Sequence, residues 1–293
     1  MFKRKPLISI IFPAKNEGDN VKTTLDSLFS VKVKSLFEAV VVNDGSEDKC
    51  CDFIHSYPHK DRVLLIDTKG AGAAKARNLG AKNASGEILI FCDAHLQFEN
   101  WWIDHLIEPL KTGKTDAVTP GIASSSDPSI IGYGQTLTSR LETRWNLNKN
   151  TLFETPIIPG GCFAISKTVF NKVGGFEQGF RTWGYEDIEF SIKLWLFGYR
   201  CHAEPRVSII HLFREKQPYI VRSDDVTYNL LRMAYLHFND HRIQKCLNLI
   251  NMKKSIRRKL LNDQSDLLIQ RQTYFNERVY NDSWYFNKFN IQF

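Results

Sequence analysis

Short apolar runs too brief for buried helices punctuate the first 120 residues: Leu7 to Phe12, Ala39 to Val42, Val63 to Asp67, Ile88 to Cys92 and Ala117 to Pro120. They are rich in isoleucine and valine, as strands buried on both faces are. Stretches with helical periodicity separate them. Asp19 to Ser30 places Val21, Leu25, Leu28 and Phe29 on one face, with Asp19 or Asn20 available to cap its first turn. Cys51 to Tyr57 suits a short helix, Gly70 to Lys82 a glycine-rich loop feeding a helix, and Trp101 to Leu110 a further helix. Alternation of this kind predicts an α/β fold, a sheet with helices on both faces. Ligands of such sheets bind beyond the carboxyl ends of the strands. Pro13-Ala14-Lys15-Asn16-Glu17, Asn43-Asp44-Gly45-Ser46 and Asp93-Ala94-His95 all fall there.

Further along, Ser124 to Asn150 is polar and irregular and is expected as a mobile segment over the site. Ile157 to Ile165 surrounds Pro159-Gly160-Gly161, Lys167 to Val173 reads as a short helix, Tyr185 to Phe197 as a strong amphipathic helix, and Val207 to Ile210 as a strand. From Gln217 strand punctuation gives way to helical, basic and aromatic segments. The expected division is therefore residues 1–216 and a helical C-terminal extension over 217–293.

The chain has 293 residues, 43% hydrophobic and 24% charged, enough for a large core. No apolar run approaches the roughly 18 to 20 residues of a membrane helix, and the run behind the basic start is too short for a signal-peptide core. A cytoplasmic location is the expectation. Six cysteines follow no disulfide or metal-ligand spacing, so free thiols are expected. The net charge of +7 is spread along the chain and is densest at Lys253, Lys254, Arg257, Arg258 and Lys259. No nucleic-acid motif accompanies it, so an anionic small ligand fits better, with peripheral membrane contact through Lys253–Lys259 as a further use.

Asp93 and His95 lie two apart on an extended segment and so point to one side. With His211 from the end of a later strand they offer one carboxylate and two imidazoles, a set suited to Mn²⁺ (or Mg²⁺) more than to a closed zinc cage. A cation there would neutralise charge on a departing nucleotide diphosphate. Asn16 and Asp44 can hydrogen-bond a base edge and a ribose, although turns favour the same residue types. The loop from Gly70 to Arg77 supplies backbone N–H groups, Lys75 and Arg77 for a diphosphate, but it matches neither the P-loop nor the dinucleotide pattern. Glu186 and Asp187 open a helix, where the dipole favours carboxylates. Aromatic neighbours Trp183, Tyr185 and Phe190 suggest burial, which would raise a carboxylate's pKa and suit it to act as a base.

Taken in order, Ile-Phe-Pro-Ala-Lys-Asn-Glu, Val-Val-Asn-Asp-Gly-Ser, Ala-Arg-Asn-Leu-Gly-Ala, Phe-Cys-Asp-Ala-His and Trp-Gly-Tyr-Glu-Asp-Ile-Glu resemble the motifs of nucleotide-diphospho-sugar transferases of the GT-A fold, family 2 type, from Pro6 to about Arg214. The D-x-H, W-G-x-E and His211-Leu212-Phe213-Arg214 segments are closest to the catalytic domain of polypeptide N-acetylgalactosaminyltransferases. The resemblance implies a Rossmann-like mixed sheet, Mn²⁺ on Asp93, His95 and His211, and the nucleoside at Asp44 and at Pro13, Ala14, Asn16 and Glu17. It implies the diphosphate near Lys75, Arg77 and Arg214, and the donor sugar at Gly160, Gly161 and Glu186. Arg214 to Tyr219 corresponds to a lid, with Trp183 and Tyr185 on the lid or acceptor side.

Two departures matter. Asp187 stands where the peptide transferases have asparagine, and the Glu-Asp pair resembles inverting family members whose aspartate is the base. These 293 residues are also not expected to include a β-trefoil lectin domain or a membrane anchor like those of the animal peptide enzymes, so peptide specificity does not follow from the resemblance. The expected activity is metal-dependent transfer from a UDP-sugar to a hydroxyl or thiol of a glycan, peptide or small molecule, inverting, with Asp187 as base. The competing readings are a retaining peptide-type transferase, a nucleotidyltransferase, for which Pro13 to Glu17 has too few glycines, and a non-catalytic nucleotide-sugar-binding protein.

Overall fold

The structure, a computed structural model, describes residues 7–250 and 264–293. The basic stretch Lys253–Lys259 lies outside the described residues. Strands β1 (Ile8–Ala14), β2 (Phe37–Asn43), β3 (Val63–Asp67) and β4 (Ile88–Cys92) are parallel. They are followed by β5 (Leu96–Gln97), β6 (Ala117–Ser124), β7 (Ile131–Tyr133), β8 (Gln135–Leu137), β9 (Thr143–Trp145), β10 (Phe153–Glu154), β11 (Cys162–Ser166) and β12 (Cys201–His211). The main sheet runs β10-β12-β6-β11-β4-β1-β2-β3, with β5 on β12 and β7 on β6, while β8 and β9 form a separate hairpin.

Side chains alternate across this sheet as the pleat requires. Ile8, Ile10 and Phe12 join one buried layer with Ala39, Val41 and Ile90, whereas Ile11, Val40, Val42, Leu89 and Phe91 join the other. Helix α1 (Asn20–Ser30) covers the first face through Val21, Leu25 and Leu28. Helix α2 (Ala73–Asn83) covers the second, and α3 (Trp102–Lys111) returns to the first with Trp102, Ile103 and Leu106. At the sheet edge β3 is only partly buried, whereas burial on both faces explains why β1, β2 and β4 read as unbroken apolar runs. Each such side chain contributes about 1.5–3 kcal/mol.

The register brings the polar clusters to one edge. Ala14 pairs with Asn43, and Asn43 with Asp67, so the segments after β1, β2 and β3 leave the sheet together. Cys92 pairs with Cys162, and Asp93 N–H donates to the Gly161 carbonyl at 3.0 Å. At the end of β12, His211 lies opposite both Leu96 and Ser124.

Helices α4 (Lys167–Lys172), α5 (Glu186–Leu196), α6 (Ser223–His237), α7 (Asp240–Leu249), α8 (Gln264–Glu277) and α9 (Asp282–Lys288) complete the second layer. Leu231, Met233, Phe238, Tyr285 and Phe286 from the C-terminal helices share a core with Phe91, Phe163 and Phe190. All six cysteines are buried and unbridged. Among the described residues no helix is long and apolar enough to cross a membrane.

Several local expectations change. Asp19 makes no side-chain cap; its φ of −78° and ψ of −3° are already helical, so its carboxylate does not face the first turn. The strand expected at Val207–Ile210 extends from Cys201 to His211 because β6 pairs along its length. Ser124 to Asn150 is not irregular throughout, since it contains β7, β8 and β9, tied by pairs such as Gln135↔Trp145 and Gly121↔Tyr133.

Helix α2 approaches β1 closely at Gly80, where an added Cβ would sit 2.4 Å from Ile11 Cγ2. Gly80→Ala is expected to overpack this contact by about 1–3 kcal/mol, only partly offset by about 1 kcal/mol of helix propensity. Urea unfolding with a lower midpoint and an unchanged slope is the expected result.

Candidate active site

The strand ends surround a cavity of about 970 Å³. Asp93, His95 and His211 meet in its wall, with one ligand atom from each lying within 4.8 Å of the others. His211 Nε2 is 3.2 Å from Asp93 Oδ2, and His95 Nε2 is 4.0 Å from the same oxygen. Glu17 Oε2 lies 3.2 Å from His95 Nδ1. An ionised carboxylate only accepts, so this contact places a proton on Nδ1 and directs Nε2 toward Asp93. One carboxylate and two imidazoles opening onto a cavity fit a divalent cation with free coordination positions. Burial raises the Asp93 carboxyl, but the hydrogen bond from His211 and the Arg77 charge outweigh it, and it lies well below the usual range.

Arg77 is the buried counter-charge. Only 3% exposed, it donates to Asp93 Oδ1 at 2.8 Å, Glu186 Oε1 at 3.2 Å and the Gly160 carbonyl at 3.3 Å. Its guanidinium therefore belongs to the protein wall, a tighter commitment than an open diphosphate clamp. Lys75 departs from expectation more plainly. It is exposed and lines a separate depression with Arg181, Asp225 and Arg232, because the turn of α2 that buries Arg77 points Lys75 outward. The amides at the start of α2 are also engaged. Ala71 and Gly72 N–H donate to Asp44, and Ala73 N–H donates to the Thr182 carbonyl at 2.8 Å. Asp44 thus anchors this loop, with Thr68 Oγ1 donating to it as well, while still lining the cavity.

Glu186 and Asp187 begin α5 after a strained turn: Thr182, Gly184 and Tyr185 have φ of 30°, 101° and 68°. Left-handed backbone at Thr and Tyr is costly and needs outside support. Asn229 of α6, fully buried, supplies it. Its Oδ1 accepts from Arg181 N–H at 2.8 Å, and its Nδ2 donates to the carbonyls of Arg181 and Gly184 at 2.8 and 2.9 Å. Gly184 N–H donates to Glu186 Oε2 at 2.8 Å. Asp187 Oδ2 accepts from Gly160 N–H, and its Oδ1 from Ile188 N–H, each at 2.9 Å. Burial pushes the carboxyls of Glu186 and Asp187 up, against the Arg77 charge for the first and the Gly160 N–H for the second. Gly160 and Gly161 line the cavity, but what they let approach is protein. A Cβ on Gly160 would stand 3.4 Å from Asp187, and one on Gly161 3.2 Å from His211.

Arg214 forms a two-pronged ion pair with Glu17. Burial raises Glu17, but the hydrogen bonds and charges of His95 and Arg214 bring its carboxyl below the ordinary value. Asn16 Nδ2 donates to the Pro218 carbonyl at 3.3 Å, and Lys15 lies 6.0 Å from the Tyr219 ring centre. Pro13, Ala14, Trp183, Tyr185 and Tyr219 all line the cavity. Sequence reading missed Asn229 and expected the hairpin residues Gln135, Thr143 and Trp145, which close one wall, only as part of a segment lying over the site. No periodicity or motif marks these residues; only the return of α6 and of the β8–β9 hairpin does.

The glycosyl transferase family 2 profile matches residues 9–174, and the chain belongs to that family. A profile described as the N-terminal domain of galactosyltransferase matches residues 147–216. Polypeptide N-acetylgalactosaminyltransferase 11 of Xenopus tropicalis is 26% identical, over 82% of this chain and 44% of that protein. Polypeptide N-acetylgalactosaminyltransferase 8 of Drosophila melanogaster is 31% identical, over 73% of this chain and 39% of that protein. The chain thus spans roughly two fifths of the length of these curated relatives. The fold is that of GT-A glycosyltransferases. The crystal structure of GalNAc-T7 with UDP, GalNAc and Mn²⁺ superposes with a TM-score of 0.79 at 20% identity, over 99% of this chain and 57% of that one. Staphylococcus aureus TarS 1–349 in complex with UDP-GlcNAc gives 0.61 at 18% identity, over 82% and 70%.

Removing the Arg77 charge strands Asp93 and Glu186. Arg77→Met is expected to cost about 3–5 kcal/mol, the scale for breaking a buried ion pair from one side. Chemical denaturation measures it, and a loss below about 1 kcal/mol would show that water already compensates these carboxylates.

Proposed function

We propose that the chain is a metal-dependent glycosyltransferase that moves a sugar from a UDP-sugar to an acceptor hydroxyl or thiol, inverting the anomeric carbon with Asp187 as base. One observation carries this reading: Asp93, His95 and His211 share a single cavity with the Asp187 carboxylate. The names of the relatives favour an N-acetylhexosamine as the sugar, and the GalNAc-T7 complex favours Mn²⁺ as the cation. Residues 1–216 would carry the chemistry, and residues 217–293 would brace it.

In this reading Asp93, His95 and His211 hold the cation, which when bound supplies positive charge for the diphosphate. Asp187 is held in place by the Gly160 and Ile188 N–H groups, and each of its oxygens keeps a further lone pair for the acceptor. Asp187 takes the acceptor proton as the acceptor oxygen or sulfur forms its bond to the anomeric carbon. The bond from that carbon to the diphosphate oxygen breaks, and UDP leaves with the electron pair. Arg214 lies on the cavity wall where it can meet that charge. Glu186, tied to Arg77 and Gly184 N–H, keeps the turn and the sugar side of the cavity in shape.

Asp187→Asn is expected to lower transfer by roughly 10²–10⁴-fold, the range for loss of a general base, while UDP binding by calorimetry stays near wild type. Turnover close to wild type would sink the base assignment. Product configuration, read from the anomeric proton coupling, separates inversion from retention of the donor's configuration.

The ionised form of Asp187 is the active one and burial raises its pKa. Activity is therefore expected to fall with acidification at a pH above the roughly 3.9 of an ordinary aspartate. A kcat/KM profile flat down to that value would contradict it. Chelation should abolish transfer, and added Mn²⁺ should restore it.

A further inference from the structure

We propose that Glu17 is a positioning residue shared by the metal-binding cluster and the Arg214 segment, and that an incoming diphosphate engages the site by taking Arg214 away from it. The nature of the ligand rests on the UDP-sugar reading above; the rest stands on the geometry of this chain.

Glu17 follows β1 and is 7% exposed. Its Oε2 meets His95 Nδ1 at 3.2 Å and also the Arg214 guanidinium, while its Oε1 accepts from Arg214 Nη1 at 3.1 Å. One buried carboxylate thus serves a candidate metal ligand and the cation expected at the diphosphate. Glu17 occupies both terminal nitrogens of Arg214 end-on, so a diphosphate that takes this fork has to displace it. Arg214 cannot hold Glu17 with both prongs and hold a diphosphate in the same way.

The neighbouring residues gather the same segment. Asn16 Nδ2 donates to the Pro218 carbonyl at 3.3 Å, and Lys15 stands 6.0 Å from the Tyr219 ring centre. Three consecutive side chains after β1 therefore face Arg214 to Tyr219. A diphosphate in the cavity competes with Glu17 for Arg214. When it succeeds, Glu17 is left to His95 alone and continues to hold Nε2 toward Asp93. The ion pair is a latch that lowers affinity for UDP in the absence of metal, and the same carboxylate raises affinity for the cation.

The two halves predict opposite signs for one substitution, which a purely structural role would not produce. With the full chain and no nucleotide, Glu17→Ala is expected to weaken Mn²⁺ binding by roughly 10–100-fold, the range for loss of a residue that orients a metal ligand. Glu17→Gln keeps an acceptor for His95 and should lose less. With no metal, both variants should bind UDP tighter, by roughly 3- to 10-fold, because Arg214 is already free. Calorimetry measures both. ¹⁵N shifts of His95 should report the Nδ1-protonated form in wild type and a mixture in Glu17→Ala. If Glu17→Ala does not fold, Glu17→Gln still decides through UDP affinity.

Wild-type Mn²⁺ affinity in Glu17→Ala would overturn the positioning half. UDP affinity that is unchanged or lower in both variants would overturn the latch. A wild-type chain that binds Mn²⁺ but no UDP would remove the donor reading and the latch together, leaving the positioning of His95 to the Mn²⁺ titration.

Discussion

The site is organised around one buried cation. Arg77 projects from α2 between the end of β4 and the start of α5, where it meets Asp93, Glu186 and the Gly160 carbonyl. A guanidinium stripped of water is stable only where oxyanions and carbonyls replace the lost hydration. Carboxylates drawn from chain positions 93 and 186 are in turn stable close together only with a cation between them. Their environments then diverge. Asp93 gains His211 and lies low, whereas Glu186 and Asp187 are raised by burial. Neighbouring carboxylates thereby acquire separate ionisation ranges, which is how one cavity can hold both a cation ligand and a proton acceptor.

The second dependence runs through the C-terminal helices. The backbone from Thr182 to Tyr185 adopts left-handed angles that residues with side chains disfavour. Asn229 secures that turn, and Arg232 of the same helix pairs with Glu177 at 2.9 Å. Beneath it, His237 Nε2 lies 2.7 Å from Glu189, which also meets Lys193 at 3.3 Å, all three side chains buried. His237 is therefore a member of a buried charge cluster. The helix bearing Glu186 and Asp187 is held on its far side by α6, so the shape of the site and the packing of the C-terminal helices are one problem.

Much of this was legible in the chain itself. Ile88–Cys92 and Val63–Asp67 form strands with the bounds their apolar runs suggest; the first is buried on both faces, whereas the second is a half-exposed edge strand held in register by its parallel pairing with β2. Asp93, His95 and His211 converge as their places at strand ends imply. Lys75 and the amides of the Gly70 loop show the limit. A basic residue beside a glycine-rich turn has the composition of an anion site, yet Asp44 takes two of the amides and α2 turns Lys75 outward. Those partners come from the neighbouring strand and from the phase of the helix, and neither is marked by a motif.

The sequence by itself determined the strand and helix alternation, the edge of the sheet where polar clusters would emerge, and the residue types able to hold a cation, because these follow from local periodicity and side-chain chemistry. Only the tertiary structure decided which of those groups are free. Arg77, Asp44 and Glu17 look alike in sequence, as polar residues beside strands or turns. Each is committed by partners that arrive from elsewhere in the chain: Glu186 for the first, the Gly72 amide for the second and Arg214 for the third. In a low-dielectric interior the partner, more than the residue type, sets charge, orientation and availability.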